Sequence, residues 1–143
     1  MSTFHLEVVT PGGSKASADI AQVTAPGTLG DLGILPGHRP LTTSLGIGVL
    51  SFTTDGGSTE YLAVNGGFLQ VAADSVIVVT ETAETPDELD ADRAQAALKR
   101  ALERLREIDK DDASEQLRFA LEARARAENR IRVSKLAKKV LPP

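Results

Sequence analysis

"VIVVTETAETPDELDADRAQAALKRAL", residues 76–102, changes its hydrophobic period half-way along. Its start, "VIVVT", is a short β-branched run of the kind that forms a strand. Further on, Ala94, Ala97, Leu98, Ala101, Leu102, Leu105 and Ile108 fall at offsets 0, 3, 4, 7, 8, 11 and 14, which is one stripe along an α-helix. Between the two, Pro86 fixes its own φ and disfavours helix at Thr85, so Thr85-Pro86-Asp87 reads as a hinge. The chain is therefore expected to hold a β module over residues 1–84 and an α module over 87–143.

Towards the N-terminus the period-two pattern continues in "FHLEVV", "IAQVTA", "IGVLSF", "YLAV" and "FLQVA", with turn signals "TPGG", "APGTLG", "LPGHRP", "TDGGS" and "NGG" between them. Asp55-Gly56 and Asn65-Gly66 are pairs that suit tight hairpins. Short strands at this spacing predict an antiparallel β-sandwich or barrel. Towards the C-terminus glycine disappears, and Ala, Leu, Glu, Arg and Lys take over. "DKDDAS" interrupts the first helical stripe, and Leu117, Ala120, Leu121, Ala125, Ile131 and Leu136 open a second helix of about 27 residues that "LPP" ends. The α module reads as an antiparallel two-helix hairpin around a turn near residue 111, with small residues that let the helices approach closely.

Composition narrows the function. Among 143 residues there is no cysteine, which removes disulfides, thiolate metal sites and cysteine nucleophiles, and aromatics are only 3%, so no stacking platform for nucleobases is at hand. No leader-like segment or run of 18 apolar residues occurs, which points to a cytosolic or peripheral protein without direct membrane insertion. The net charge of −4 is uneven: residues 113–143 carry eight Lys and Arg against three Glu. That basic helix lacks interleaved aromatics on a globally acidic chain, which speaks against nucleic acid. No catalytic constellation is legible: His5 reads as a surface strand residue without a ligand partner, neither histidine has metal-ligand spacing, and Glu81 and Glu84 read as a solvated edge. No metal site is expected.

"FHLEVVTP", "GDLGILPGHRPL", "NGGFLQV", "VTETAE" and "LDADRA" follow one another in an order and spacing that resembles the ε subunit family of the bacterial F-type ATP synthase, equivalent to the mitochondrial δ subunit. The resemblance covers essentially the whole chain. It implies a ten-stranded antiparallel β-sandwich followed by the helical hairpin, and a non-catalytic rotor subunit of the central stalk, at the cytoplasmic face of the plasma membrane. Its implied partners are the γ subunit, the ring of c subunits and, when the hairpin extends, the α/β catalytic ring. The apolar, turn-rich segment 30–41 corresponds to the family's ring-contacting loop, with Asp31 and His38 at its polar positions.

"LDADRA" matches the family's nucleotide-binding signature. By itself Asp90 is a good N-cap, Asp92 suits the positive end of the helix dipole, and Arg93 is an exposed charge. Antiparallel packing would bring residue 93 level with about residue 129, and Arg126 and Arg130 bracket that level on one face of the second helix. Three guanidinium groups in one place call for an anion such as a phosphate chain. The resemblance assigns the site to Glu84, Leu89, Asp90, Arg93, Ala94, Arg126 and Arg130, with ATP as a regulatory ligand and no required cofactor. It also implies that Arg118, Arg124, Arg132, Lys135, Lys138 and Lys139 meet acidic partner residues when the second helix extends. The chain has no Gly-rich loop ending in Gly-Lys-Ser or Gly-Lys-Thr, so a hydrolytic P-loop site is ruled out.

Overall fold

In the computed structural model, residues 2–108 and 115–139 are described. The chain divides into two units, 1–85 and 86–143.

The first unit is built from β1 (Phe4–Thr10), β2 (Gly13–Gly27), β3 (Gly30–Ile34), β4 (Leu41–Thr54), β5 (Thr59–Ala72), β6 (Ser75–Val79) and the short β7 (Ala83–Glu84). Alternation decides which side chains go inward. In β1 Phe4, Leu6 and Val8 are buried while His5 and Glu7 face out, and in β6 Val76 and Val78 are buried while Ile77 is exposed. The strands follow the order β1-β6-β5-β4-β2-β3, and β1 also pairs with β2, so five of them close into a ring. Strand directions cannot alternate all the way round an odd ring. One pair must be parallel, and it is β1 with β6, which corrects the expectation of a wholly antiparallel sandwich.

Seven continuous strands stand where ten were expected. The difference goes with β2, β4 and β5, which run unbroken for 14 or 15 residues. The β2 ladder shifts register between Ile20 and Gln22, and the β4–β5 ladder skips Gly46 and Gly66, which lie opposite each other at the bend. Asn65-Gly66, expected as a hairpin turn, is therefore this bend: "YLAV" and "FLQVA" are two arms of one strand. Asp55-Gly56 does open the β4–β5 turn, where Gly57 N–H donates to Thr54 O at 2.9 Å.

The bend is pinned from inside. Gly67 has φ +103°, and a Cβ there would lie 1.8 Å from the Val79 carbonyl oxygen. Beside it the buried Thr80 hydroxyl donates to Thr82 O and accepts from Asn65 N–H, each at 3.2 Å. These polar groups are thus paired where water is excluded. The core inside the ring is aliphatic apart from Phe4 and Phe52, with Leu6, Val8, Ile20, Val23, Leu50, Leu69, Val76 and Val78 fully buried.

In the second unit a 3₁₀ turn, Pro86–Glu88, precedes α1 (Ala91–Glu107), and α2 spans Glu115–Lys139. Asp90 is the N-cap of α1: its carboxylate accepts from the backbone N–H of Asp92 at 3.0 Å and of Arg93 at 3.2 Å. The seam between the helices is made of small residues. Ala94 and Ala101 of α1 and Ala120 and Ala127 of α2 are buried, with Asn129 and Val133. Leu102 and Leu121, expected in the seam, are 38% and 47% exposed, because the close approach that alanine permits leaves no room for them. The turn near residue 111 and the "LPP" stop lie outside the described residues.

Candidate functional site

A groove of about 210 Å³ runs between α1 and α2, lined by Ala97, Arg100, Ala101 and Arg104 from one helix and Ala120, Ala123, Arg126 and Arg130 from the other. Its lining is four alanines and four arginines. No carboxylate is among the lining residues. Arg126 and Arg130 are half-buried and Arg100 and Arg104 are exposed, and guanidinium groups set along one groove can receive a multivalent anion through bidentate hydrogen bonds. The volume lies below the roughly 300–1,000 Å³ of pockets that enclose drug-sized ligands. It suits a chain of phosphate groups.

Arg126 and Arg130 both line the groove, but Arg93, expected to converge with them, does not. Arg100 and Arg104 take its place. The four positions Arg93, Ala97, Arg100 and Arg104 share one stripe of α1, at offsets 0, 4, 7 and 11. What separates them is the lean of helical side chains towards the N-terminus of their own helix. In an antiparallel hairpin Arg126 and Arg130 lean towards the connecting turn, whereas Arg100 and Arg104 lean away from it, so the two pairs meet. Arg93 stands one turn beyond Ala97 and does not line the groove; like Arg100 and Arg104 it is exposed. Matching the helices by backbone level alone missed this, although the i, i+4 spacing of Arg100 and Arg104 repeats that of Arg126 and Arg130.

The remaining signature residues are dispersed. Leu89 is half-buried, Ala94 is buried in the helix seam, and Asp90 serves the cap. Glu84 belongs to the first unit, on β7, with Ala83 and Glu84 paired to Val64 and Ala63 of β5. Of the cations assigned to an extended helix, Arg118, Arg124, Arg132 and Lys135 are exposed, and Arg124 is bonded to Glu128 at 3.0 Å. The side chains of Lys138 and Lys139 lie outside the described residues.

In the first unit the segment 30–41 is half strand and half turn. Gly30–Ile34 forms β3 against Val23–Gly27, a hairpin whose tip carries the fully exposed Leu29. Residues 35–40 then turn, with His38 N–H donating to Leu35 O at 3.1 Å, and Leu35 is 59% exposed. Asp31 sits next to the hairpin tip, and His38 lies in the turn that follows the other end of β3. They are not neighbours. Nδ1 of His38 lies 2.7 Å from the Arg39 carbonyl oxygen, so that contact makes it the hydrogen-bearing nitrogen. Among the described residues no group of three His, Cys, Asp or Glu could hold a metal ion, and no helix is long and apolar enough to cross a membrane.

Residues 3–86 match the family model described as the ATP synthase delta/epsilon chain, beta-sandwich domain. The ATP synthase epsilon chain of Bacillus velezensis is 42% identical over 134 residues, covering 94% of this chain and 98% of that one. The ATP synthase epsilon chain 2 of Syntrophotalea carbinolica is 50% identical over 105 residues, 73% of this chain and 75% of its own. Among solved structures, a chain of the Euglena gracilis mitochondrial ATP synthase OSCP/F1/c-ring structure has the same fold at a TM-score of 0.71 and 20% identity, covering 99% of this chain and 83% of that chain. A chain of the Tetrahymena thermophila mitochondrial ATP synthase central stalk and c-ring structure follows at 0.57 and 17%, covering 93% and 94%. A ring-closed β-sandwich with a helical hairpin, in a sequence this close to bacterial epsilon chains, places the chain in the ATP synthase delta/epsilon family, as an epsilon-type, non-catalytic subunit of the F-type enzyme.

Proposed function

We propose that this epsilon-type subunit is a rotor element of the central stalk and that its hairpin senses ATP and restrains ATP hydrolysis. Its β-sandwich would hold the γ subunit and the c-ring at the cytoplasmic face of the membrane, with the exposed Leu29 and Leu35, beside Asp31 and His38, at the ring contact. The solved relatives occur in structures of F1 with the c-ring and of the central stalk with the c-ring, which supports this reading. In the hairpin, the triphosphate of ATP occupies the groove while the nucleoside extends past its end towards the signature residues Leu89, Asp90, Arg93 and Ala94. Ligand bridging of both helices favours the closed hairpin. Without it α2 is free to leave α1 and to present Arg118, Arg124, Arg132 and Lys135 to acidic residues of the α/β ring, which would stop rotation in the hydrolysis direction. ATP shifts this equilibrium only by its preference for the closed state.

The observation that carries the proposal is the groove lined by Arg100 and Arg104 from one helix and Arg126 and Arg130 from the other. Calorimetric titration of ATP into the full chain tests it. Arg100→Ala and Arg126→Ala should each weaken binding about 10- to 100-fold, the loss expected of one hydrogen-bonded charge, while Arg93→Ala should have a smaller effect. Equal losses at all three positions, or none, would contradict the groove as the phosphate site.

A further inference from the structure

His5, a surface strand residue, has two hydrogen-bond partners. Its Nδ1 lies 3.2 Å from Oδ1 of Asp19, and its Nε2 lies 3.1 Å from Oγ of Ser17. The β1–β2 ladder makes this arrangement. His5 stands directly opposite Asp19, and Ser17, two residues earlier on β2, faces the same side and sits diagonally across. All three are on the outer face, with the His5 and Asp19 side chains 44% and 73% exposed.

The order of contacts fixes the chemistry. A carboxylate only accepts, so Asp19 holds the hydrogen of the neutral imidazole on Nδ1. Nε2 then presents its lone pair to Ser17, whose hydroxyl donates to it. This is the polarity of a serine nucleophile with its general base and a positioning carboxylate. We propose that Ser17 is a nucleophile for small activated esters and is acylated by them. Oγ attacks the ester carbonyl, the Oγ–C bond forms, the C–O bond to the leaving group breaks, and the hydroxyl proton passes to Nε2 and on to water. On an open strand face only water stabilises the tetrahedral intermediate, and the product is an unactivated alkyl ester. It outlives the reagent that formed it, so the site captures one acyl group per chain and does not turn over. The inference is independent of the hairpin.

The test exposes the full chain to p-nitrophenyl acetate and follows acetylation by peptide mass spectrometry, with Ser14 of the same strand as internal reference. Ser17 should be acetylated at least about ten times faster than Ser14, a threshold set below the roughly 100-fold that a positioned general base provides at the least. His5→Ala should bring Ser17 down to the rate of Ser14. Asp19→Asn should slow labelling about threefold or more, and Asp19→Glu should restore it, which a purely structural role would not produce. The β-sheet circular dichroism of each variant shows that it is folded. Ser17 labelling no faster than Ser14, or labelling indifferent to His5→Ala, would overturn the proposal.

Discussion

Gly67 occupies a backbone position that a side chain cannot share, since its φ is +103° and the space of a Cβ is filled by the Val79 carbonyl. Gly67→Ala should therefore cost more than about 3 kcal/mol, strain and displaced backbone together, and thermal unfolding of the variant measures it. An unchanged melting temperature would mean that the bend in β5 tolerates rearrangement. The same "NGG" shows where reading residues in isolation falls short. Asn65-Gly66 has the chemistry of a hairpin, and only the pairing of β5 with both β4 and β6 turns it into a bend. Asp90 was legible because a cap depends on local backbone alone, whereas Arg100 and Arg104 were not, because their convergence with Arg126 and Arg130 depends on the lean of side chains from two helices.

Among the elements, α1 was legible in outline from its stripe, and β1, β2, β4, β5 and β6 from their apolar runs. β3 was hidden because "GDLGI" offers two apolar residues between glycines, and its pairing with β2 comes from the chain turning back at Thr28-Leu29. The seam of α2 was misread in part: alanine lies all round this helix, so composition does not separate the packed face holding Ala120, Ala127 and Val133 from the rest. Close packing through alanine makes a specific prediction. Ala120→Leu should destabilise the hairpin by about 1–3 kcal/mol through overpacking, read as loss of helical signal at lower temperature, even though leucine is the more apolar residue and a good helix former. A gain in stability would show that the seam has room the structure does not display.

At the scale of the molecule, the first unit has an apolar core of its own, supplied by β1 to β7 from Phe4 to Ala83. Residues 1–85 expressed alone should fold to the same β-sheet signature with one cooperative unfolding transition, and a fragment that melts without cooperativity would contradict this. The change of hydrophobic period near Thr80 marked a β part and an α part, and the short strands with their turn signals pointed to a sandwich or barrel. The parallel β1–β6 pair was not legible, because the parity of a five-strand ring is a property of the whole circuit. The functional account rests on ATP holding α2 against α1. Hydrogen exchange of the α2 backbone amides, Glu115–Lys139, measures this directly in the full chain with and without ATP. At ATP about 100-fold above its dissociation constant, exchange through helix release should slow by up to about 100-fold, and Arg126→Ala should abolish the slowing. Exchange that stays the same while calorimetry shows the site filled would mean that ATP does not hold the hairpin closed.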